Sequence, residues 1–443
     1  MIGITRPVCI VGTGYVGMAC QLGLADLGWK VHGYDIAPER IERLRRGITP
    51  YREPQLEESL RKHLAAGTVE FFDSLDAAAR DAQVIVIAVN TPSHDDGSCD
   101  LSAVYAAIEN LSKVAFTTWP CVVVRSTVPP GTSDALNAGV RNWADLVISP
   151  EFLREGSALR DFLNPDRIVV GCDMPAQAVP YVRLLEQLQK PVVFTTRSNA
   201  ELIRNCSNAF LAMKISFANE VANLCEAFGA TSDDVLRGIG YDGRIGSRFL
   251  QPGIGFGGPC FEKDLKSLEF VSRQFGLGRG LFSSALQINE QQPHRIVQHL
   301  EDEIGSLEGA TIGIWGLAFK AGTDDIRGSL ALRIVDELGS RGAKMIAYDP
   351  AVHVAPLPSG SRMVPSALEA AQADALLVLT EWPEFAQIDP LSYASMIGRR
   401  VVIDGRNVLD PQRVAAAGLI YRGVGRSFPA APERRPLASA QLV

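Results

Sequence analysis

A chain of 443 residues is too long for one hydrophobic core and fits two or three domains. At 47% hydrophobic and 21% charged it has an ordinary globular composition, and its net charge of −7 argues against a nucleic-acid surface. The eight cysteines are scattered, with no CxxC pair and no histidines at metal spacing, so neither a metal site nor a disulfide scaffold is expected, and free thiols point to the cytoplasm.

The N-terminus has no charged segment ahead of an apolar run, so no signal peptide is expected. Residues 8–12 (VCIVG) are a short apolar run broken at glycine, followed by GTGYVGMACQLGLADLG. This order predicts a strand, a Gly-rich turn and a helix closed by Gly28, then a second strand, KVHGYD, ending at Asp35. Continuous apolar strands are predicted at Gln83–Val89, Cys121–Arg125, Leu146–Ser149 and Ile168–Gly171, with helical or polar stretches between them. That alternation implies a parallel sheet covered on both faces, occupying residues 1–197.

Ser198 is expected to open a long helix, with Glu201 completing a capping box and Gly229 supplying the stop. Leu202, Phe210, Met213, Phe217, Val221, Leu224 and Phe228 recur at helical spacing. Glu201, Arg204, Lys214, Glu220 and Glu226 interrupt the helix too often for it to span a bilayer, so no membrane partner is expected. Residues 198–300 carry no strand signal and read as a helical middle domain. Apolar residues surround much of the long helix, which predicts a homodimer or a higher homo-oligomer.

Residues 301–426 repeat the first section in outline. TIGIWG (311–316), a glycine-interrupted loop, the helix 330–338 and KMIAYDP mirror VCIVG, its loop, its helix and KVHGYDIAP. DALLVLTEW echoes AQVIVIAVNTP, and VVIDGRNV echoes VVVRSTV. The expected fold is therefore α/β, with two Rossmann-like doubly wound domains flanking a helical centre. Residues 427–443, rich in Pro, Ala and Arg, read as a loose tail.

Gly12, Gly14 and Gly17 satisfy GxGxxG between a strand and a helix, as a dinucleotide's pyrophosphate requires. Asp35, at the end of the next strand, suits a ribose 2′-hydroxyl and repels a 2′-phosphate, so NAD is expected rather than NADP. GIWGLAFK lacks the fingerprint, so the second half is expected to bind something else. Cys260 lies in GFGGPCFEKD. A lone cysteine is usually inert core, but the four glycines ahead of it at 253, 255, 257 and 258, with Lys263 and Asp264 following, suit an accessible, activated thiol and give a ligand close access to backbone. Arg204 and Asn208 share a helix face, as do Glu151 and Glu155 if their segment is helical; a solvated stripe is the plain alternative for both pairs. Arg244, Lys320, Arg327 and Arg406 stand in or beside Gly-rich turns, where diphosphate contact and plain surface solvation both remain open.

Together these segments resemble the UDP-glucose/GDP-mannose dehydrogenase family, most of all its UDP-glucose branch. The matching motifs are GTGYVG, VNTP, STVPPGT, SPEFLREGSAL, PDRIVVG, RIGSRFL, GFGGPCFEKD, GLAFKAGTDDIRGS and IDGRNVLD, in that order. The resemblance implies an NAD-binding domain over 1–197, a central dimerisation domain over 198–300 and a nucleotide-sugar-binding domain over 301–426. It implies oxidation of UDP-glucose at C6 to UDP-glucuronate, with Cys260 forming a thiohemiacetal and then a thioester. Asp264, Thr127 and Glu151 would manage protons and water, with Arg204 and Asn208 beside the reacting oxygen. The resemblance places the cofactor on Gly12, Gly14, Tyr15, Val16 and Gly17, on Asp35, Arg40, Thr91 and Thr127, and on Glu155, Lys263 and Arg327. The nucleotide sugar would meet Glu151, Phe152, Leu153, Arg204 and Asn208. It would also meet Phe249, Gln251, Phe256, Gly257, Phe319, Lys320 and Arg406, with Arg244 supplied by a partner subunit.

Two residues depart from the family pattern. Arg204 stands where a catalytic lysine is usual, and Glu262 replaces a proline or glutamine. Arginine keeps the charge but cannot give up its proton. The alternatives are the same oxidation on another nucleotide sugar, such as GDP-mannose or a UDP-N-acetylhexosamine, and a binding protein impaired by Arg204.

Overall fold

The computed structural model describes residues 6–94 and 96–426; the expected tail 427–443 lies outside them. The described residues form two compact units, the first from 6–208 and 266–278, the second from 209–265 and 279–426. The division falls inside two helices, Arg197–Phe228 and Phe261–Gln274. The helical stretch 198–300 is thereby shared between the units.

The first unit holds eight strands: β1 Val8–Val11, β2 Val31–Tyr34, β3 Val69–Phe72, β4 Val84–Ile87, β5 Cys121–Val124, β6 Asp145–Ile148, β7 Ile168–Gly171 and β8 Val192–Thr195. Their order is β3-β2-β1-β4-β5-β6-β7-β8. The central strands VCIV, VIVI and CVVV are buried at every position, because helices cover both faces. The sheet is not parallel throughout: β6 meets β7 antiparallel at Ile148 and Gly171, so β7 and β8 run against the first six strands. Strands β3 and β8 had no clear signal. Both are edge strands, and β8 has Val193 and Phe194 exposed at 42% and 45%.

The expected capping box does not form. The long helix starts at Arg197, and the Thr196 hydroxyl accepts the Asn199 N–H at 3.2 Å. Glu201 instead accepts N–H bonds from Gly131 and Ser133, both at 2.7 Å. It thus caps the neighbouring helix Thr132–Val140 rather than its own. Asn205, one turn on, donates to the Val128 carbonyl at 3.0 Å. Two buried polar residues of the long helix therefore pin the loop after β5.

The second unit contains β9 Thr311–Trp315, β10 Lys344–Tyr348, β11 Arg362–Met363, β12 Ala375–Val378, β13 Val401–Asp404 and β14 Ile420–Gly423. The order β11-β10-β9-β12-β13-β14, parallel throughout, reproduces that of the first six strands. The repeat extends to single atoms. Gly12 and Gly316, both at φ +96°, follow β1 and β9, and each donates its N–H at 2.8 Å, to Tyr34 and Tyr348 respectively.

Candidate active site

The cofactor cradle is built at the carboxyl ends of β1, β2, β4 and β5, around the switch between β1 and β4. A Cβ on Gly12 would meet the Ala88 carbonyl at 2.5 Å, and one on Gly17 would strike the Gly12 carbonyl, so both glycines serve the turn. Gly14 differs: its nearest neighbour would be Asn90 at 3.9 Å. The backbone is therefore bare at the entry to the helix Tyr15–Asp26, which no side chain caps. Its first N–H groups suit a pyrophosphate.

Asp35 accepts from the Thr13 N–H and hydroxyl at 2.8 Å each, from the Ala37 N–H at 3.0 Å and from Arg40 at 3.0 Å. Burial works to raise its carboxyl, but these hydrogen bonds and the Arg40 charge hold it below the usual carboxylate range. The carboxylate is thus fixed and ionised beside the turn. The Thr91 hydroxyl donates to the Thr127 carbonyl at 2.7 Å, linking the loops that follow β4 and β5. The bare Gly14, the uncapped helix and the ionised Asp35 fit NAD.

The segment after β6 brings Glu151 and Arg204 together. Both are buried, and Nη2 of Arg204 lies 2.7 Å from the Glu151 carboxylate, whose other oxygen accepts the Leu153 N–H at 2.6 Å. Arg204 is therefore no solvated stripe. Arg167 stacks its guanidinium 3.7 Å from the Phe152 ring centroid and reaches Ser207 at 3.3 Å. Burial lowers its pKa, as does the charge of Arg204. The segment 150–154 is not helical, so Glu151 and Glu155 do not share a helix face. Nothing in the side-chain spacing had indicated Arg167.

In the second unit, the exposed Cys260 precedes the helix Phe261–Gln274, and its carbonyl accepts the Asp264 N–H at 2.9 Å. Cys260 is thus the N-cap residue, where the helix end favours a thiolate. Asp264, fully buried one turn on, accepts from Lys263 at 2.8 Å. Glu262, the second departure, pairs with Arg333 at 2.7 Å. Phe249, at φ +64°, and Phe256 lie 6.4 and 5.9 Å from the Phe261 ring, centroid to centroid.

The glycines before Cys260 allow close packing of backbone. A Cβ on Gly253, Gly257 or Gly258 would meet Gly405, Gly328 or the Phe319 ring at 2.9, 2.7 and 2.7 Å, and one on Gly255 would strike Asn289. Asn289 also pairs with both backbone polar groups of Phe256, at 2.7 and 3.0 Å. Arg406 donates to the carbonyls of Gly255, Phe319 and Leu379 at 3.1, 3.3 and 3.1 Å, so it organises three loops at once. Lys320 lies 5.5 Å from the Phe319 ring centroid. Arg327 forks onto Asp325, and Arg244, 90% exposed in its side chain, onto Asp242. Gln251 is exposed.

Asp349 occupies in the second unit the place of Asp35. It accepts from the N–H groups of Leu317, Ala318, Ala351 and Val352 and from the Trp382 indole, at 2.7 to 3.2 Å. With its acceptors spent and only 2% exposure, it is closed to a ribose. Among the described residues no cluster of His, Cys, Asp or Glu can hold a metal ion, and no helix is long and apolar enough to cross a membrane.

A dinucleotide cradle on one Rossmann-like unit and a second unit without one define an NAD-dependent oxidoreductase. Three family models match in chain order: the NAD binding domain of the UDP-glucose/GDP-mannose dehydrogenase family over 6–193, its central domain over 198–291 and its UDP binding domain over 313–411. The chain is 39% identical to a UDP-glucose 6-dehydrogenase of Rhizobium meliloti, covering 95% of this chain and 99% of that one. It superposes on a UDP-glucose dehydrogenase from Pyrobaculum islandicum with a TM-score of 0.89 at 36% identity, over 96% and 100% of the two chains. A UDP-D-ManNAc dehydrogenase from Pyrococcus horikoshii gives a TM-score of 0.84 at 26% identity, over 95% and 99%. The chain belongs to the UDP-glucose/GDP-mannose dehydrogenase family. Its cofactor is NAD and its substrate a nucleotide sugar.

Proposed function

We propose that this protein is a UDP-glucose 6-dehydrogenase that oxidises the C6 alcohol to the carboxylate of UDP-glucuronate. The observation that carries the mechanism is the exposed Cys260 thiol at the N-cap of a 14-residue helix, with Asp264 one turn on. The UDP-glucose preference rests on the relatives' names and identities. NAD, when bound, accepts one hydride in each of two oxidations.

The sulfur of Cys260 adds to the C6 aldehyde carbon, and the resulting thiohemiacetal carries the hydrogen lost in the second oxidation. The product is a thioester, which water cleaves to the acid and the thiol. Glu151, fixed by Arg204 and the Leu153 N–H, takes the proton from that water. Asp264, paired with Lys263, and Thr127 handle protons of the alcohol and thiol, and Asn208 donates to the reacting oxygen. Arg204 supplies fixed charge and no proton. The other residues that the resemblance assigns to NAD and to the nucleotide sugar would hold them as it implies.

Cys260→Ser tests the covalent route. A hydroxyl gains far less than a thiol from a helix N-terminus, and any oxygen ester it forms should hydrolyse slowly. Mass spectrometry of the variant after exposure to UDP-glucose and NAD should show an accumulated adduct or an arrested reaction. Normal steady turnover would exclude the thioester.

A further inference from the structure

Glu53, which the mechanism leaves unused, is 8% exposed and sits between the Gly-rich turn and the loop after β6. One of its oxygens accepts the Ala158 N–H at 2.6 Å. The other accepts the Gly156 N–H at 2.7 Å and lies 2.8 Å from the Tyr15 hydroxyl. That hydroxyl is also 2.8 Å from the Arg154 carbonyl, so its single proton serves one acceptor or the other. Tyr15 opens the helix whose N-terminus receives the pyrophosphate, and Tyr51 donates to the Gly14 carbonyl at 3.0 Å. The two tyrosine rings lie 5.3 Å apart.

The far end of the loop is tied to the helix that follows it. Arg154 forks onto Asp161 at 2.6 and 2.9 Å, and Ser157 reaches the same carboxylate at 2.9 Å. The Phe162 ring fills the place that a Cβ on Gly23 would take, which seats the following helix on the cofactor helix. A carboxylate buried against three donors is costly to disturb.

We propose that Glu53 is a positioning residue: through Tyr15 it locks the loop 151–157 to the Gly-rich turn, so that cofactor seated on the turn orders the loop that carries Glu151 and Glu155. Two sites sharing such an element bind with linked free energies.

Glu53→Gln sets an amide N–H₂ donor against the N–H of either Gly156 or Ala158, whichever way the amide turns. Tyr15→Phe removes the hydroxyl and leaves the backbone cap of Glu53 intact, so it decides the matter if the first variant does not fold. In the native protein NADH should slow hydrogen exchange of segment 151–158 by about tenfold. Both variants should lose most of that response at saturating NADH, with the KM for UDP-glucose raised by about tenfold and the double variant no worse than Glu53→Gln. The kinetic readout rests on the proposed function and the exchange readout does not, so a native protein inactive on UDP-glucose would sink the former alone. Retained NADH-dependent protection in both variants, or a lowered Tm with unchanged protection and KM, would overturn the role of Glu53.

Discussion

Arg204 was legible as a departure from a family pattern, but its partner was not. Sequence placed it beside Asn208 on a helix face; the structure spends part of its fork on the buried Glu151. Its guanidinium therefore serves first to hold that carboxylate in place. Arg204→Ala strands a buried carboxylate, a change that costs about 3–5 kcal/mol in stability. It should also cost turnover by an amount of the order of 3 kcal/mol, as when a fixed donor at a reacting oxygen is lost. Arg204→Lys restores a cation of the family type and should retain substantial activity. Thermal midpoints and steady-state rates on UDP-glucose check both, and an unchanged rate in Arg204→Ala would remove Arg204 from the reaction. Cys260 and Asp264 were visible by residue type and motif. Glu53, Arg167 and Asn289 were not, because a buried carboxylate, a stacked guanidinium and an amide that mimics a strand partner leave no periodic mark on a sequence.

At the scale of elements, central strands announced themselves as apolar runs, whereas the two edge strands β3 and β8 did not. The misplaced capping box has the same origin: Glu201 at the right spacing found a better donor set on a segment 68 to 70 residues away. A second long-range carboxylate offers a pH test. Glu226, on the long helix, meets His299 at 3.2 Å, Arg295 at 2.9 Å and the Gly425 N–H at 2.8 Å, joining two helices to the segment after β14. Burial would raise its carboxyl, yet these partners hold it down to about 2 from 4.5. Because the folded pKa is depressed, the stabilisation is complete above the unfolded value and is lost as pH falls through the folded one. A shift of that size corresponds to about 3 kcal/mol. Denaturant midpoints should therefore separate native protein from Glu226→Gln above about pH 5 and converge toward about pH 2. A gap that persists undiminished at the acid end would show that the residue acts through packing alone.

For the whole molecule, the repeat seen in sequence is a structural duplication with divergent ends. Gly316 repeats Gly12, but Asp349 has turned inward where Asp35 serves the cofactor turn. The long helix leaves Phe210, Phe217, Leu224 and Phe228 exposed at 49–61%, at positions that recur along one face. We propose that a second copy covers them. Sedimentation at micromolar concentration should give a dimer or a larger assembly, and Phe217→Glu should weaken it; a fully active monomer would contradict this proposal.

The proposed reaction consumes one water and makes two NADH for each UDP-glucose. With purified protein, limiting UDP-glucose and excess NAD, absorbance at completion should therefore correspond to two NADH per sugar nucleotide, with UDP-glucuronate as the product. One NADH per sugar nucleotide would mean that oxidation stops at the aldehyde. No NADH from UDP-glucose, with a yield from another nucleotide sugar, would contradict the substrate assignment, and no yield from any would contradict the enzyme itself.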